Sequence, residues 1–202
     1  MGTRGAYGLH KGGVDKIAYN HWDSYPIGLG ADVAAFVCQH TDEEMNAIFD
    51  RIILVATKEK PTGDQIAECM PFFDGNVSEQ TPEDWYCLLR KAQGNLEAYA
   101  GGLRYMVGKA DFLKDSLFCE WGYVINLDKG VLEVYRGFQK APSKNRYFRS
   151  KMVATFIEND GKSGYYNCAL IREVPFATIR ETPTYMATLE EEIEHEEAVI
   201  VG

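Results

Sequence analysis

The sequence lacks the cysteine pattern of a disulfide framework or a zinc site. Its five cysteines lie far apart, their number is odd, and no C-x-x-C pair occurs among them. Its four histidines also show no metal-ligand spacing. Disulfide scaffolds and structural zinc sites depend on closely spaced cysteine or histidine pairs. We therefore expect no metal and no cofactor, and we interpret the cysteines within apolar helical patterns as small core residues.

Long apolar runs and an excess of positive charge are missing too. No segment stays apolar over the ~20 residues needed to span a bilayer, and no charged region followed by an apolar stretch opens the chain as in a signal peptide. The formal net charge is -9, whereas binding to a nucleic-acid backbone needs a basic footprint. We expect a cytoplasmic protein with no membrane association and no general nucleic-acid binding.

Common catalytic motifs are also absent. The chain contains no G-x-x-x-x-G-K-[ST] loop, no G-x-S-x-G elbow and no H-E-x-x-H helix, which argues against the chemistries that those motifs support. What is present is an ordinary globular composition, 46% hydrophobic and 25% charged over 202 residues. That length can bury a sizeable core. We interpret residues 1–187 as a single α+β domain and residues 188–202 as an acidic C-terminal tail or helix.

The first thirty residues contain two segments with strand character around a glycine turn. Residues 3–10 and 14–20 flank Lys11-Gly12-Gly13, and a short glycine-containing connection between such segments predicts a β-hairpin. Alternation along the second strand assigns His21 to one face and Asn20 to the other. One face of the hairpin can therefore pack on a core while the other borders a polar cleft.

The middle of the chain shows helical spacing. Roughly residues 31–107 carry apolar stripes at intervals of three and four residues, as expected for helices that bury one face. Thr41 and Thr62 begin capping-box sequences. Thr81-Pro82-Glu83-Asp84 combines an N-cap, an early proline and first-turn acids, which is the strongest helix start in the chain. We expect a packed helical layer in this region.

Beyond Glu120 the apolar period becomes two. Alternation on both sides of residues 128–130 predicts a hairpin. A second strand pair is predicted over residues 152–158 and 165–172. The order of a hairpin, helices and further hairpins indicates an α+β fold, in which the N-terminal and C-terminal hairpins form antiparallel sheet structure packed against the helical middle layer.

The irregular stretch after the second strand is the best candidate for a site. It mixes large aromatic residues with an acid, a hydroxyl and a proline, and such a loop is costly to order unless its side chains pack or bind something. Aromatic rings there could stack on a base, and an arginine with loop amides could hold phosphate. We expect a non-catalytic pocket that sequesters a nucleotide-like metabolite or signal, lined by Arg4, Asn20, His21, Trp22, Asp23 and Tyr25.

The same stretch admits a hydrolase of amide or phosphoester bonds. His21 would act as general base, Asp23 would orient it, and Ser24 or Thr3 would be the nucleophile. Arg4 would then hold an anionic part of the substrate. The alternative for these residues is structural, with Asp23 and Ser24 capping the loop or the following helix and His21 a half-buried, hydrogen-bonded side chain.

The opening of the chain also resembles a known family. An N-terminal strand, a turn and a second strand ending in Tyr19-Asn20-His21-Trp22-Asp23 resemble the start of N-terminal-nucleophile hydrolases of the choloylglycine-hydrolase type, in which an Asn-x-Asp sequence ends the second strand. Asn20 and Asp23 are three apart here, and Gly2 stands where a nucleophile would follow Met1, so Thr3 could serve only after a further cut. The resemblance covers about thirty residues and implies a layered αββα scaffold, with or without hydrolase activity.

A likeness to small phage and bacterial proteins of unassigned function rests on two further features of this opening. These are the Thr-Arg-Gly start and the Asn-His-aromatic-Asp-Ser-Tyr-Pro run. We therefore expect the chain to be encoded by a phage, although the likeness supplies no function.

Two charged segments lie outside this stretch. Residues 136–149 form a local basic cluster, which is either a solvated loop or an anion site, and we favour the loop. The C-terminal run from Glu190 to Glu197 is strongly acidic and is typical of a solvated helix face. A second alternative function, a protein-interaction module, would use this acidic run or exposed aromatic residues.

Overall fold

The computed structural model describes residues 2–152, 154–158 and 161–201. Its strands are β1 (Gly5–Lys11), β2 (Val14–Asn20), β3 (Ile53–Val55), β4 (Tyr105–Val107), β5 (Trp121–Asn126), β6 (Val131–Arg136), β7 (Ala154–Glu158), β8 (Gly161–Tyr165) and β9 (Ala169–Pro175). Its α-helices are α1 (Ala31–Gln39), α2 (Asp42–Arg51), α3 (Gly63–Cys69), α4 (Trp85–Leu88), α5 (Glu97–Ala100), α6 (Phe176–Glu181) and α7 (Tyr185–Val201). Short 3₁₀ or π turns cover Pro26–Gly30, Met70–Phe72, Arg90–Ala92 and Ala110–Lys114.

A five-stranded sheet organises the molecule, with the strand order β2-β1-β5-β6-β9. Neighbouring strands are antiparallel except β1 and β5, which run parallel. The N-terminal hairpin and the C-terminal strands therefore share one sheet, and the predicted α+β class is confirmed. Strands β3 and β4 form a small parallel pair, and β7 and β8 form a small antiparallel pair. The order leaves β2 at one edge of the main sheet.

The N-terminal hairpin forms as the glycine pattern predicts. Gly12 and Gly13 have φ angles of 57° and 77°, and a two-residue turn with both φ values positive matches the twist of the flanking strands. Gly8 has a φ of 155°, and a Cβ there would lie 2.1 Å from the carbonyl oxygen of Lys16. The absence of a side chain at Gly8 therefore lets β1 and β2 approach closely.

The two faces of the sheet are covered differently. The face that presents Tyr7, Tyr123 and Val134 packs against the helices in the main core, which is the expected helical layer. The other face presents Val124 and Tyr135 to a smaller cluster, built from the 3₁₀ turn at Ala110–Lys114 and from loop residues such as Tyr147 and Cys168. An αββα arrangement would need a second stacked sheet on this face. In the described chain, turns and loops cover it instead.

The basic segment between β6 and β7 is pinned to the second face by a buried ion pair. Glu133 is 1% exposed, and Arg146 donates to its Oε1 at 2.7 Å. Asn126 and Tyr135 donate to the same carboxylate at 2.8 and 2.9 Å. Burial alone would raise the pKa of Glu133, but the hydrogen bond from Arg146 and then that from Asn126 hold this pKa below its ordinary value. At Arg146 this segment therefore turns inward, unlike a fully solvated loop.

The second predicted C-terminal strand pair is wrong in its pairing. Strand β7 pairs with β8, which follows it closely, and residues 169–175 form β9 beside β6. The physical reason is that β6 would otherwise present an unpaired edge, and sheet edges are covered or paired in native proteins. Residues 153, 159 and 160 lie outside the described residues.

The C-terminal helix packs on the main core through one face. Met186, Leu189 and Ile193 are buried in that core, while Glu191 and Glu192 are exposed. The carboxylate of Glu190 accepts a hydrogen bond from the Ile27 amide at 3.0 Å. The acidic run therefore begins on a helix that is part of the fold. None of the helices among the described residues has the length and apolar character required to cross a bilayer.

Candidate functional site

The two candidate nucleophiles are enclosed by backbone. Thr3 is 3% exposed and Ser24 is 0% exposed. The Ser24 amide donates to the Thr3 carbonyl at 3.3 Å, which ties the start of the chain to the loop after β2. The Ser24 hydroxyl accepts a hydrogen bond from Asn20 Nδ2 at 3.0 Å. Both residues hold this end of the sheet together, and neither side chain faces open solvent.

His21 is engaged elsewhere. Its Nδ1 lies 2.6 Å from the hydroxyl of Tyr19, and among the described residues its ring bonds neither Asp23 nor Ser24. Asp23 is exposed and has a φ of 48°, a conformation that aspartate tolerates better than most residues. Its carbonyl accepts from the Leu29 amide at 2.9 Å. The described geometry thus does not join His21, Asp23 and Ser24 into a catalytic triad.

The remaining candidate residues surround the same end of the sheet. The Arg4 guanidinium lies 5.0 Å from the ring centroid of Phe118. Trp22 is 57% exposed and packs edge-on against the His21 ring. Tyr25 is 45% exposed, and its carbonyl accepts from Gly30 at 3.2 Å, which closes the wide turn that precedes α1. Of the predicted residues, His21 lines one cavity at this end of the sheet, and Asn20, Trp22 and Asp23 line a second. Thr3, Arg4, Ser24 and Tyr25 line neither cavity.

An aromatic cavity of about 520 Å³ opens at the outer edge of β2. Its polar lining comprises His21, Thr57, Ser78, Asp84, Gln93 and Lys109. Its aromatic lining comprises Tyr7, Tyr19, Trp85, Tyr86, Tyr99 and Phe112. Tyr7, Trp85 and Tyr99 are buried and close its floor. Because β2 is an edge strand, residues from both of its faces reach the cavity.

The edge of β2 offers backbone groups to this cavity. The Ile17 carbonyl accepts from the Lys109 amide at 2.7 Å, so it points away from β1. In an antiparallel pair the N–H and C=O groups of alternate residues point the same way. The N–H and C=O of Tyr19 therefore also face outward, away from β1. On that outer side, neither group is hydrogen-bonded to a described residue. The cavity thus has a donor and an acceptor fixed in its wall.

Two arginines give the cavity a positive surrounding. Burial, then the charges of Arg90 and Arg4, lower the pKa of His21 below its ordinary value of 6.5. Burial raises the pKa of Tyr19. The hydroxyl therefore stays protonated beside a neutral imidazole. When the Tyr19 hydroxyl donates to Nδ1, the neutral ring carries its proton on Nε2. Nε2 has no hydrogen-bond partner among the described residues.

A polar cavity of about 670 Å³ lies on the other side of residues 20–23. Gln93 and the end of β2 separate it from the aromatic cavity. Its lining includes two aromatic residues, Trp22 and Phe36. Its polar lining comprises Asn20, Asp23, Asp32, Gln39, Asp74, Arg90, Lys91, Gln93, Asn95 and Glu97. Among the described residues, no cluster of three or more His, Cys, Asp or Glu side chains could hold a metal.

Several site residues escape the sequence analysis. Three of them, Tyr86, Arg90 and Gln93, lie in the middle layer. The apolar stripe that begins at Trp85 predicts only a packed helix there and no binding residues. Their spacing of four and three residues is the available signal, because it places them on one side of a helical segment. Function has to be argued from the geometry of these residues, since no protein-family model, no curated protein and no solved structure matches the chain.

Proposed function

We propose that the protein binds a small molecule with a planar ring and an anionic group, a nucleotide-like ligand, in the aromatic cavity and releases it unchanged. One observation carries the proposal. In a chain of net charge -9, the aromatic cavity has His21, Tyr86 and Gln93 in its lining. Arg90 contacts Tyr86 and Gln93 from outside that lining, and the charges of Arg90 and Arg4 reach His21 and lower its pKa. A locally positive aromatic cavity in an acidic protein suits an anionic aromatic ligand.

The ring would enter between Tyr19, Tyr86 and Phe112. Tyr19 and Phe112 already meet edge to face, with centroids 5.2 Å apart, and both line the cavity. Its volume of about 520 Å³ falls within the range of roughly 300–1,000 Å³ found for small-molecule sites. Aromatic walls bind planar ligands through apolar contact and ring stacking. The cavity therefore accommodates a base-sized ring.

Hydrogen bonds at the edge of β2 would orient that ring. The outward N–H and C=O of Tyr19 supply a donor and an acceptor, and Nε2 of His21 supplies a second donor. Buried polar groups of this kind discriminate between ligands, because a ligand without the matching groups leaves them unpaired. A nucleobase edge carries both donors and acceptors.

The anionic group would lie between Arg4 and Arg90. Arg90 already donates to Gln93 and lies 5.5 Å from the Tyr86 ring centroid, so its guanidinium is held at the cavity. Lys109 is exposed at the same opening. Guanidinium groups bind phosphate oxygens in a bidentate manner. This arrangement supports a phosphate-bearing ligand over a neutral nucleoside.

The burial of the candidate nucleophiles Thr3 and Ser24 supports binding of the ligand without its cleavage. Among the described residues, the Thr57 and Ser78 hydroxyls line the aromatic cavity together with His21, but the imidazole is hydrogen-bonded to Tyr19 and to neither of them. Such a protein would sequester a nucleotide-like metabolite or signal. The Thr-Arg-Gly start and the Asn-His-aromatic-Asp-Ser-Tyr-Pro run, which resemble small phage and bacterial proteins, are compatible with a phage-encoded protein in this role.

The test is native mass spectrometry of the protein after incubation with adenosine monophosphate, with adenosine and with ribose 5-phosphate. We expect one equivalent of the monophosphate to bind and to be recovered at its original mass. Adenosine should bind more weakly, since it lacks the anion, and ribose 5-phosphate should also bind more weakly, since it lacks the ring. Equal binding of ribose 5-phosphate, or recovery of a cleaved product, would refute the proposal.

Variants locate the binding. Arg90→Met keeps the length of the side chain and removes its charge, and we expect the dissociation constant for the monophosphate to rise at least about tenfold. Lys58→Met is the matched control, because Lys58 is exposed and lines neither cavity. An identical loss in both variants would indicate an effect of net charge alone.

A further inference from the structure

Residues 20–32 contribute part of the lining of the polar cavity, here called its wall, and we propose that this cavity is a separate binding site for an organic molecule with a primary ammonium group. The wall includes three acceptor groups, the Asn20 amide oxygen and the carboxylates of Asp23 and Asp32. These three groups take no part in binding the ligand assigned to the aromatic cavity, although Arg90 borders both sites.

Asn20 provides the first observation. Its side chain donates through Nδ2 both to Trp22 O and to Ser24 Oγ. Trp22 O can only accept a hydrogen bond, so the amide orientation is fixed. The residue is only 6% exposed, and its Oδ1 accepts from no described residue. Trp121 Nε1 is the one fully buried side-chain polar atom without a partner among the described residues, so Asn20 Oδ1 is accessible from outside and free to accept from a ligand or water.

The surroundings of Oδ1 leave room for a donor. A Cβ on Gly94 would lie 3.0 Å from Asn20 Oδ1, which shows that the oxygen is directed at the side of Gly94 that has no side chain. Gly94 has a φ of 76° and lines the polar cavity. The oxygen therefore borders the cavity, where a ligand can reach it.

The two carboxylates provide the charge. Asp23 lies three residues after the end of β2, and Asp32 lies in the first turn of α1. Both are exposed, and neither forms an ion pair with any described residue. Burial, and then the charge of Asp23, raise the pKa of Asp32. The two acids therefore repel each other, and a cation bound between them would relieve this repulsion.

Trp22 supplies a ring at the rim of the same wall. Its side chain is 57% exposed and lines the cavity. The face of an indole attracts a cation through its quadrupole, more strongly than the other aromatic side chains. An exposed tryptophan beside two carboxylates suits a positively charged organic group.

A primary ammonium matches this wall better than a metal ion or an anion does. It carries three N–H donors, and the wall has three acceptors. In the described part of the chain, no group of three or more His, Cys, Asp or Glu side chains could hold a metal ion, and the wall offers only two carboxylates. Arg90 and Lys91 line the same cavity, so the part of the ligand beside them would be neutral or anionic.

The test uses n-butylammonium as the probe and follows the Trp22 indole resonance by NMR as the probe is titrated. Tetramethylammonium has the same charge without N–H donors, and butan-1-ol is a neutral analogue of similar length. We expect saturable binding of n-butylammonium and at least about tenfold weaker binding of the other two.

Substitutions assign the site. Asp32→Asn should weaken n-butylammonium binding at least about tenfold while the fold, followed by circular dichroism, is unchanged. Glu43→Gln is the control, because Glu43 is also an exposed acid in the first turn of a helix but lies outside this cavity. Equal effects of the two substitutions would overturn the proposal. Displacement of the probe by millimolar Ca²⁺ would also overturn it, since it would identify an inorganic cation site.

Discussion

Arg146 holds a loop to the sheet through charges that are removed from water. Its guanidinium bonds the carboxylate of Glu133 and the Tyr147 hydroxyl at 3.0 Å, and its Nε lies 3.4 Å from Asp15 Oδ1. Its side chain is 25% exposed, whereas that of Glu133 is 1% exposed. Removing Arg146 would leave the Glu133 carboxylate buried without a counter-charge, and this cost is the main reason why the ion pair matters for stability.

Arg146→Met should destabilise the protein by about 3–5 kcal/mol, because the buried carboxylate of Glu133 would lose its counter-charge. Urea denaturation at neutral pH measures the change in free energy of unfolding. Lys144→Met, an exposed position in the same segment, is the control and should change stability by less than about 0.5 kcal/mol. Similar values for the two variants would show that the buried pair contributes little.

His21 should make stability depend on pH. Its pKa in the folded protein is below the ordinary value of 6.5, so the unfolded chain takes up a proton at higher pH than the folded chain does. The contribution of His21 to the free energy of unfolding is therefore fully present above pH 6.5 and decreases as the pH falls below that value. Thermal melts between pH 7.5 and pH 5 should show a smaller loss of Tm for His21→Gln than for the wild type. Parallel pH profiles would contradict this assignment.

At the scale of single elements, the C-terminal helix α7 has one face that packs on the core and another that carries exposed acidic residues. Leu189 is 1% exposed in the main core, and Glu191 is exposed on the same helix. Leu189→Ala should cost about 2–5 kcal/mol of unfolding free energy, since it removes buried contacts and leaves a cavity. Glu191→Ala should cost less than about 0.5 kcal/mol. Chemical denaturation of both variants measures the difference, and equal costs would show that α7 does not pack through Leu189.

Helix starts show how far local sequence predicts an element. Thr41 and Thr62 form complete capping boxes in the structure, as predicted, because these bonds involve only residues three apart. The strong signal at Thr81-Pro82-Glu83-Asp84 leads instead to a four-residue helix, capped by Asp84. A cap determines where a helix begins and not where it ends, so the length of this helix could not be predicted from the cap.

At the scale of the whole molecule, the sequence predicts the fold class but not which distant strands pair with each other. Alternation and turn residues are local, so the hairpins β1–β2 and β5–β6 are confirmed as predicted. The parallel contact of β1 with β5 has no local signal. The site shows the same limit, because Asn20, His21 and Asp23 are predicted from one loop while Tyr86, Arg90 and Phe112 reach it through tertiary packing.

The central position of β1 has a consequence for how the protein is made. Arg4 and Glu120 are hydrogen-bonded although 116 positions separate them. A ribosome adds about 5–20 residues per second, so the emerging hairpin waits on the order of ten seconds for the strand that completes its pairing. During that interval one edge of β1 remains open to other chains. Slow translation or crowded synthesis should therefore favour aggregation of the nascent chain, and chaperones that shield strand edges should raise its yield.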